Sequence, residues 1–300
     1  MTSFDQIFEA LQSKSKKRLI AAWGVDDHTI NAVRKAIELG IVEGTLVGDE
    51  KKINEICKAE GIDASIFTIV NVEKELDAIA TAVDMVREGK GDILMKGQCS
   101  TDKYMRGILN KEKGLLPPKA VLSHVSVLSH PGYHKLLCIS DMAVIPAPDF
   151  SQKVAIAKYL VNTAKALGVA TPKIAFLAAT EQMLPGMPAC VEAAMLAKMA
   201  DRGQIPDCIA DGPLALDVCL SKEAVAIKKL NSPVAGDVDC ILFPNIESAN
   251  VMYKSVTQLT PESKQAAIVC GAKAPCVLSS RADSIETKLN SIALAAMTCK

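Results

Sequence analysis

Short apolar runs alternate along this chain with longer stretches in which apolar side chains recur every three or four residues. The second pattern gives a helix one apolar stripe, and the first fits a strand buried on both faces. Ile30, Val33 and Ile37 place a helix over 29–39, which Gly40 stops. Thr45 to Val47 is a short strand before Gly48-Asp49. Leu76, Ile79, Val83 and Val86 share one face of a helix over 73–88, and the strand Ile93-Leu94-Met95 follows Gly89-Lys90-Gly91. Strands are expected at 119–127 and 136–145, after which Pro146-Ala147-Pro148 breaks the chain. The alternation then continues: helix 151–167, strand 174–179, helix 188–200, strand 207–210, helix 217–229, strand 239–243 and helix 247–258. Strand 267–270, the run Cys276-Val277-Leu278 and a helix over 285–298 complete it.

Such alternation predicts an α/β fold with parallel sheets covered by helices on both faces. A length of 300 residues favours two domains. The proline break sets their expected boundary, with 1–146 first and 147–279 second. No tandem repeat, heptad seam or low-complexity tract interrupts the pattern.

Charge narrows the partners. Lys and Arg number 34, as do Asp and Glu, which argues against a broad nucleic-acid surface or a polybasic membrane anchor. Aromatic residues make up only 4% of the chain, leaving few platforms for base stacking. No run approaches the ~20 apolar residues of a membrane span. The polar start, Met1 to Lys17, lacks a signal-peptide apolar core. The 10 cysteines are scattered without a CxxC pair, so they read as reduced, mostly buried thiols in a cytoplasmic protein.

Common motifs inform by their absence. The sequence has no GxxxxGK[ST], no G-x-G-x-x-G after the first strand, no HExxH and no GxSxG. His124, His130 and His134 are close in sequence, but their spacing matches no common ligand set and no metal site is expected.

Three polar segments stand where strands run into helices, the usual ligand position of parallel sheets. In the first, Lys96-Gly97-Gln98-Cys99-Ser100-Thr101 leads toward Arg106. A helix N-terminus there offers free N–H groups to an anion, and Lys96 and Arg106 add charge. Equally, Ser100 or Thr101 caps the helix and both cations are solvated. The second pairs Asp211-Gly212-Pro213-Leu214-Ala215-Leu216-Asp217 with Pro244-Asn245-Ile246-Glu247. Both lie after a strand and before a helix; they line one cleft, or Asp217 and Asn245 simply cap helices. The third is Ser279-Ser280-Arg281-Ala282-Asp283-Ser284-Ile285-Glu286. Arg281 has the planar fork that grips phosphate, while Asp283 and Glu286 have the spacing of a capping box.

At these segments, together with Ser123-His124-Val125, Ser140-Asp141-Met142-Ala143, Ser232-Pro233-Val234-Ala235-Gly236 and Gly271-Ala272-Lys273-Ala274-Pro275, the chain resembles the phosphate acetyl/butyryl transferases over nearly its whole length. Ser-Arg-Ala-Asp-Ser at 280–284 is similar to the butyryl branch; the acetyl branch reads Ser-Arg-Gly-Cys-Ser there. The resemblance implies two doubly wound parallel-sheet domains arranged as in isocitrate and isopropylmalate dehydrogenases, with the active cleft between them. It implies that the C-terminal helix, 280–300, packs back on the first domain, and that the protein forms homodimers or larger assemblies. The implied reaction converts an acyl-CoA and inorganic phosphate reversibly into an acyl phosphate and CoA, with butyryl preferred. CoA is then a substrate, and no cofactor, metal, nucleic acid or membrane is required.

Carried onto this chain, the resemblance gives Ser280 and Arg281 the stabilisation of the carbonyl oxygen. It makes Asp283 or Glu286 the base for the CoA thiol, because Thr287 stands where the acetyl branch has its proposed Asp. Lys96, Ser100, Thr101, Arg106, Ser123, His124, Asp141, Asp211, Asp217 and Asn245 become phosphate- and CoA-binding candidates. Other readings are an acetyl-specific enzyme, a metal-dependent NAD(P) decarboxylating dehydrogenase of related fold, and a non-catalytic CoA-binding relative.

Overall fold

The computed structural model describes residues 1–278 and 283–299. Along the chain run α1 (Phe4–Gln12), β1 (Lys17–Ala22), α2 (Asp27–Glu38), β2 (Val42–Gly48), α3 (Glu50–Ala59), β3 (Thr68–Asn71), α4 (Glu75–Arg87), β4 (Ile93–Lys96) and α5 (Thr101–Ile108). Then come β5 (Ser123–Ser129), β6 (Leu137–Ser140), α6 (Phe150–Ala166), β7 (Lys173–Leu177), α7 (Pro188–Asp201), β8 (Ile209–Leu214), α8 (Leu216–Leu220) and α9 (Lys222–Lys228). The last are β9 (Cys240–Leu242), α10 (Ile246–Leu259), β10 (Lys264–Cys270), β11 (Cys276–Val277) and α11 (Ile285–Thr298). Among the described residues no helix is long and apolar enough to cross a membrane.

Two compact units result. The first comprises Phe4–Leu122 and Ala266–Lys300, the second Met1–Ser3 and Ser123–Gln265. In the first unit the strand order is β3-β2-β1-β4-β11-β10. All pairs from β3 through β11 are parallel, and β10 joins β11 antiparallel. Every residue of β4 is buried, as a strand covered on both faces requires. α2 turns Ile30, Val33 and Ala36 inward. α11 is buried almost all round from Asn290 to Met297 and packs on α1 and α2, so it is a core helix rather than a surface one. Leu76, expected on the inner face of α4, is instead 61% exposed, because the buried stripe runs through Ala78, Ile79, Ala82, Val83 and Val86.

The second unit orders its strands β5-β6-β9-β7-β8. β6, β9, β7 and β8 are parallel, while β5 and β6 form an antiparallel pair with Ser126 opposite Ile139. Its core joins Leu128, Ile139, Met142, Leu214, Ile241 and Phe243.

These units differ from the boundaries at 146 and 279. The chain changes unit at Leu122/Ser123 and at Gln265/Ala266. The cause is strand pairing. β6 pairs with β9, which commits 123–140 to the second unit, and β11 pairs with β4, which commits 276–277 to the first. A proline pair marks a turn but not the sheet that the flanking strands join. Two local differences also matter. The helix expected over 217–229 breaks at extended Ser221, whose hydroxyl accepts from Ala224 N at 3.2 Å and so starts α9. The strand expected at 207–210 begins at Ile209 and continues through Asp211-Gly212-Pro213 to Leu214, with a cis bond between Gly212 and Pro213.

Candidate active site

In the first unit β1, β4 and β11 are parallel neighbours, so their carboxyl ends open side by side. β1 leads to the head of α2 and β4 to the head of α5, and α11 begins soon after β11. Each head is capped. Asp26 accepts from Thr29 N at 2.9 Å, Ser100 from Lys103 N at 3.3 Å, and Ser284 from Thr287 N at 3.1 Å. Caps satisfy only part of a helix's first-turn donors, so three adjacent heads form a region suited to anions.

The β4–α5 turn is fixed by close approach. A Cβ on Gly97 would lie 2.2 Å from the Trp23 carbonyl oxygen, so only glycine fits. Lys96 is 2% exposed, and its ammonium donates to the carbonyls of Gly97 and Cys99 at 3.2 and 3.1 Å. It therefore braces the turn from within. The Cys99 thiol is buried and faces the Ala22 carbonyl at 3.9 Å. The Tyr104 hydroxyl donates to Leu94 O at 3.1 Å and Val277 O at 3.3 Å, locking α5 to both strands. Burial pushes that phenol well above its ordinary pKa. Thr101 is exposed at the helix head. Arg106 lies two turns on, exposed and paired with Asp102 at 3.1 Å.

Ser280 and Arg281 lie outside the described residues. The head of α11 corrects the expected capping box. Ser284, not Asp283, is the cap, and its N3 partner is Thr287, whose hydroxyl meets that of Ser284 at 3.1 Å. Asp283 is half-buried, with its carbonyl 3.1 Å from His28 Nδ1 on α2; Glu286 is exposed. Lys288, which the sequence did not single out, is 3% exposed in the same helical turn. Burial pushes its ammonium pKa down, and the nearby carboxylates of Asp26 and Asp283 only partly restore it. The one available signal was a lysine at the wrong end of a helix dipole.

In the second unit the loop after β6 is built on Asp141, 2% exposed. Its Oδ1 accepts from Ala143 N and Val144 N, both at 2.9 Å. Its Oδ2 accepts from Ser123 Oγ at 2.8 Å, His124 N at 3.2 Å and Ile145 N at 3.2 Å. The Ser140 hydroxyl donates to His124 O at 2.7 Å, and the bond from Ser140 to Asp141 is cis. Ser123, His124 and Asp141 are thus one buried network, with the His124 ring against Met142 Sδ.

Asp211 lies within β8 and accepts from its neighbour Gly212 N at 2.8 Å. Asp217 does not cap α8, which begins at Ala215 without a side-chain cap bond. It pairs with Lys228 at 2.9 Å, a hydrogen bond that lowers its carboxyl pKa. Asn245 does cap α10, accepting from Ser248 N at 3.0 Å. The histidines do not converge: His130 Nε2 meets Thr260 Oγ1 at 3.2 Å and His134 Nε2 meets Asp237 at 2.8 Å. Among the described residues no group of three or more His, Cys, Asp or Glu is placed to hold a metal ion.

The first unit thus brings Lys96, Ser100, Thr101, Asp283 and Glu286 to neighbouring helix heads. The second joins Ser123, His124 and Asp141, with Asp211, Asp217 and Asn245 at or just beyond the ends of β8 and β9. Comparison with known proteins gives one answer for the whole chain. The phosphate acetyl/butaryl transferase family model matches residues 2–78 and 73–296. A phosphate butyryltransferase of Clostridium acetobutylicum is 44% identical, over 98% of this chain and 97% of that protein. A phosphate acetyltransferase of Thermotoga maritima is 40% identical, over 98% of each chain. The crystal structure of a branched-chain phosphotransacylase from Enterococcus faecalis superposes with a TM-score of 0.82 at 30% identity, covering 94% of this chain and 98% of that one. A chain matched end to end at this level belongs to the phosphate acetyl/butaryl transferase family of acyltransferases.

Proposed function

We propose that this enzyme moves a short acyl group, butyryl in preference to acetyl, between coenzyme A and inorganic phosphate within a ternary complex. The observation that carries this reading is the 44% identity to the Clostridium acetobutylicum phosphate butyryltransferase over 98% of the chain. The Thermotoga maritima phosphate acetyltransferase at 40% identity supports the same chemistry with a shorter acyl group as the alternative.

In the forward step a phosphate oxygen attacks the thioester carbonyl carbon, and negative charge grows on the carbonyl oxygen. The carbon–sulfur bond then breaks with its electron pair going to sulfur, leaving an acyl phosphate and the CoA thiolate. Fixed donors aimed at the growing charge stabilise such a step. Ser280 and Arg281 take that role here, beside the partly positive helix heads of the first unit. In reverse the CoA thiol, with an ordinary pKa near ~8.5, needs a base. Asp283 is favoured over Glu286, because it is half-buried at the head of α11 while Glu286 points to solvent. Phosphate rather than Cys99 is the nucleophile: the Cys99 thiol is buried against a main-chain carbonyl, an inert setting for a thiolate. The reaction needs no prosthetic group. A reducing cytoplasm fits a chain whose described cysteines form no disulfide.

The test is phosphate-dependent thiol release from acetyl-, propionyl-, butyryl- and hexanoyl-CoA. Butyryl-CoA is expected to have the highest kcat/KM. A tenfold preference for acetyl-CoA would transfer the assignment to the acetyl branch, and no release from any acyl-CoA would end it.

A further inference from the structure

The loops at the carboxyl edge of the second unit's parallel strands differ sharply in chemistry. After β7 and β8 the chain carries Glu181 and Asp217, both bound to Lys228, at 3.0 and 2.9 Å. After β9 it carries Asn245 and Glu247. The loop after β6 reads Met142-Ala143-Val144-Ile145-Pro146-Ala147-Pro148, with no ionisable group until Asp149. Ala143, Pro146 and Ala147 are exposed, and Val144 and Ile145 are half-buried.

An apolar loop left partly in water would ordinarily fold inward, but this one is held. Three successive main-chain N–H groups, of Ala143, Val144 and Ile145, donate to the buried Asp141 carboxylate. Asn250 Nδ2 donates to Met142 O at 3.0 Å and Ile246 N to Pro146 O at 2.9 Å, tying the loop to α10. With Ser123 Oγ and His124 N, the carboxylate accepts from five donors, about its full capacity. Moving the loop would strip a buried charge of its donors, which is costly. The result is a rigid apolar lip at the edge where parallel sheets take ligands.

We propose that this lip is the contact surface for the aliphatic tail of the acyl group. Val144 and Ile145 are its specificity-determining residues, and Asp141 is the positioning residue that presents them. The assignment rests on the acyl-transfer reading and deepens it. The occupant follows from the chemistry of both partners. Of the substrates in that reaction, only the acyl tail lacks charge and hydrogen-bonding groups, and of the loops at this edge only 142–148 lacks them in its side chains. The two methylenes that separate butyryl from acetyl are worth roughly tenfold in selectivity when buried against such a surface.

The experiment measures kcat/KM for butyryl- and acetyl-CoA in the full-length enzyme and in Ile145→Asn, Val144→Ser, Asp141→Asn and Ser123→Ala. For Ile145→Asn the butyryl-to-acetyl ratio is expected to fall about tenfold, with a smaller fall for Val144→Ser. Asp141→Asn should shift the ratio the same way, because an amide nitrogen would face N–H donors and release the lip. A merely structural role would lower both substrates in parallel. Should Asp141→Asn not fold, Ser123→Ala removes one of the five donors and should move the ratio about threefold, by the same reasoning on a smaller scale. A ratio within twofold of the native enzyme in both Ile145→Asn and Val144→Ser, with turnover retained, would overturn the assignment. Parallel loss on both substrates in Asp141→Asn would remove its positioning role. No thiol release by the native enzyme from either acyl-CoA would defeat the underlying acyl-transfer reading instead.

Discussion

The carboxyl edges of the two units solve different problems with the same kind of sheet. In the first unit, helix heads follow three neighbouring strands, and the turn at Gly97 is so tight that a Cβ would meet main-chain atoms. Its buried cations, Lys96 and Lys288, sit behind or beside those heads. In the second unit the buried charge is an anion, Asp141, and its donors come from the loop itself. One edge is thus suited to holding negative charge, the other to holding an uncharged surface in place. A protein that must bring an anionic nucleophile to an acyl group has use for both.

The contrast can be broken most sharply at Arg281. If the first edge stabilises developing charge, Arg281→Ala should lower kcat at least about 100-fold with folding intact. Lysine should be a poor substitute, since it lacks the bidentate fork. Near-normal steady-state turnover in the alanine variant would leave the helix heads without their expected partner.

A smaller effect is expected at Gly97. Gly97→Ala forces a Cβ to within 2.2 Å of the Trp23 carbonyl oxygen, so either β1's end or the β4–α5 turn must shift. Thermal or urea unfolding should show a loss of about 1–3 kcal/mol, the usual range for overpacking. The butyryl-to-acetyl ratio should be unmoved, since that property belongs to the other unit.

The smallest effect concerns the amino edge of the second unit's sheet, where Asp237 meets Lys173 at 2.7 Å, Lys135 at 3.0 Å and His134 at 2.8 Å. Burial pushes this carboxyl pKa up, but hydrogen bonds from Lys173, Lys135 and His134 outweigh it and hold the group far below the ordinary carboxylate value. A carboxyl depressed in the folded state contributes stability that is fully present above its unfolded pKa, near ~3.9. That stability is lost as pH falls through the folded value. Asp237→Asn should therefore cost about 1 kcal/mol at neutral pH, after allowance for solvent screening. The difference from the native protein should shrink below about pH 4. Acid-unfolding curves with equal pH dependence in both proteins would show that the cluster is not coupled to folding.

Much of the fold was legible because local signals sufficed. The apolar period located α2, α4, α6, α7 and α10 to within a few residues, and the capping chemistry of Ser100 and Asn245 was readable as such. What failed was information held between elements. Nothing at 123–140 tells the sequence reader that β6 will pair with β9. The cap of α11 was misplaced by one residue, because Asp283 and Ser284 are both good caps and only the backbone angles choose between them. Asp141 was legible as important but not as a residue saturated by its own loop. Lys288 was not legible at all, because its burial depends on α11 packing against α2.

The discontinuity of the first unit has a consequence for synthesis on the ribosome. Apart from Met1–Ser3, the second unit is one uninterrupted stretch, Ser123–Gln265, and has all its strands once that stretch has emerged. The first unit begins earlier in the chain yet lacks β11 and α11 until Ala266–Lys300 is made. Until then β4 lacks its neighbour on one side, and α2 lacks the helix that covers it. The part of the protein translated first is therefore the part completed last, and its apolar surfaces stay exposed to chaperones and to other nascent chains throughout the interval.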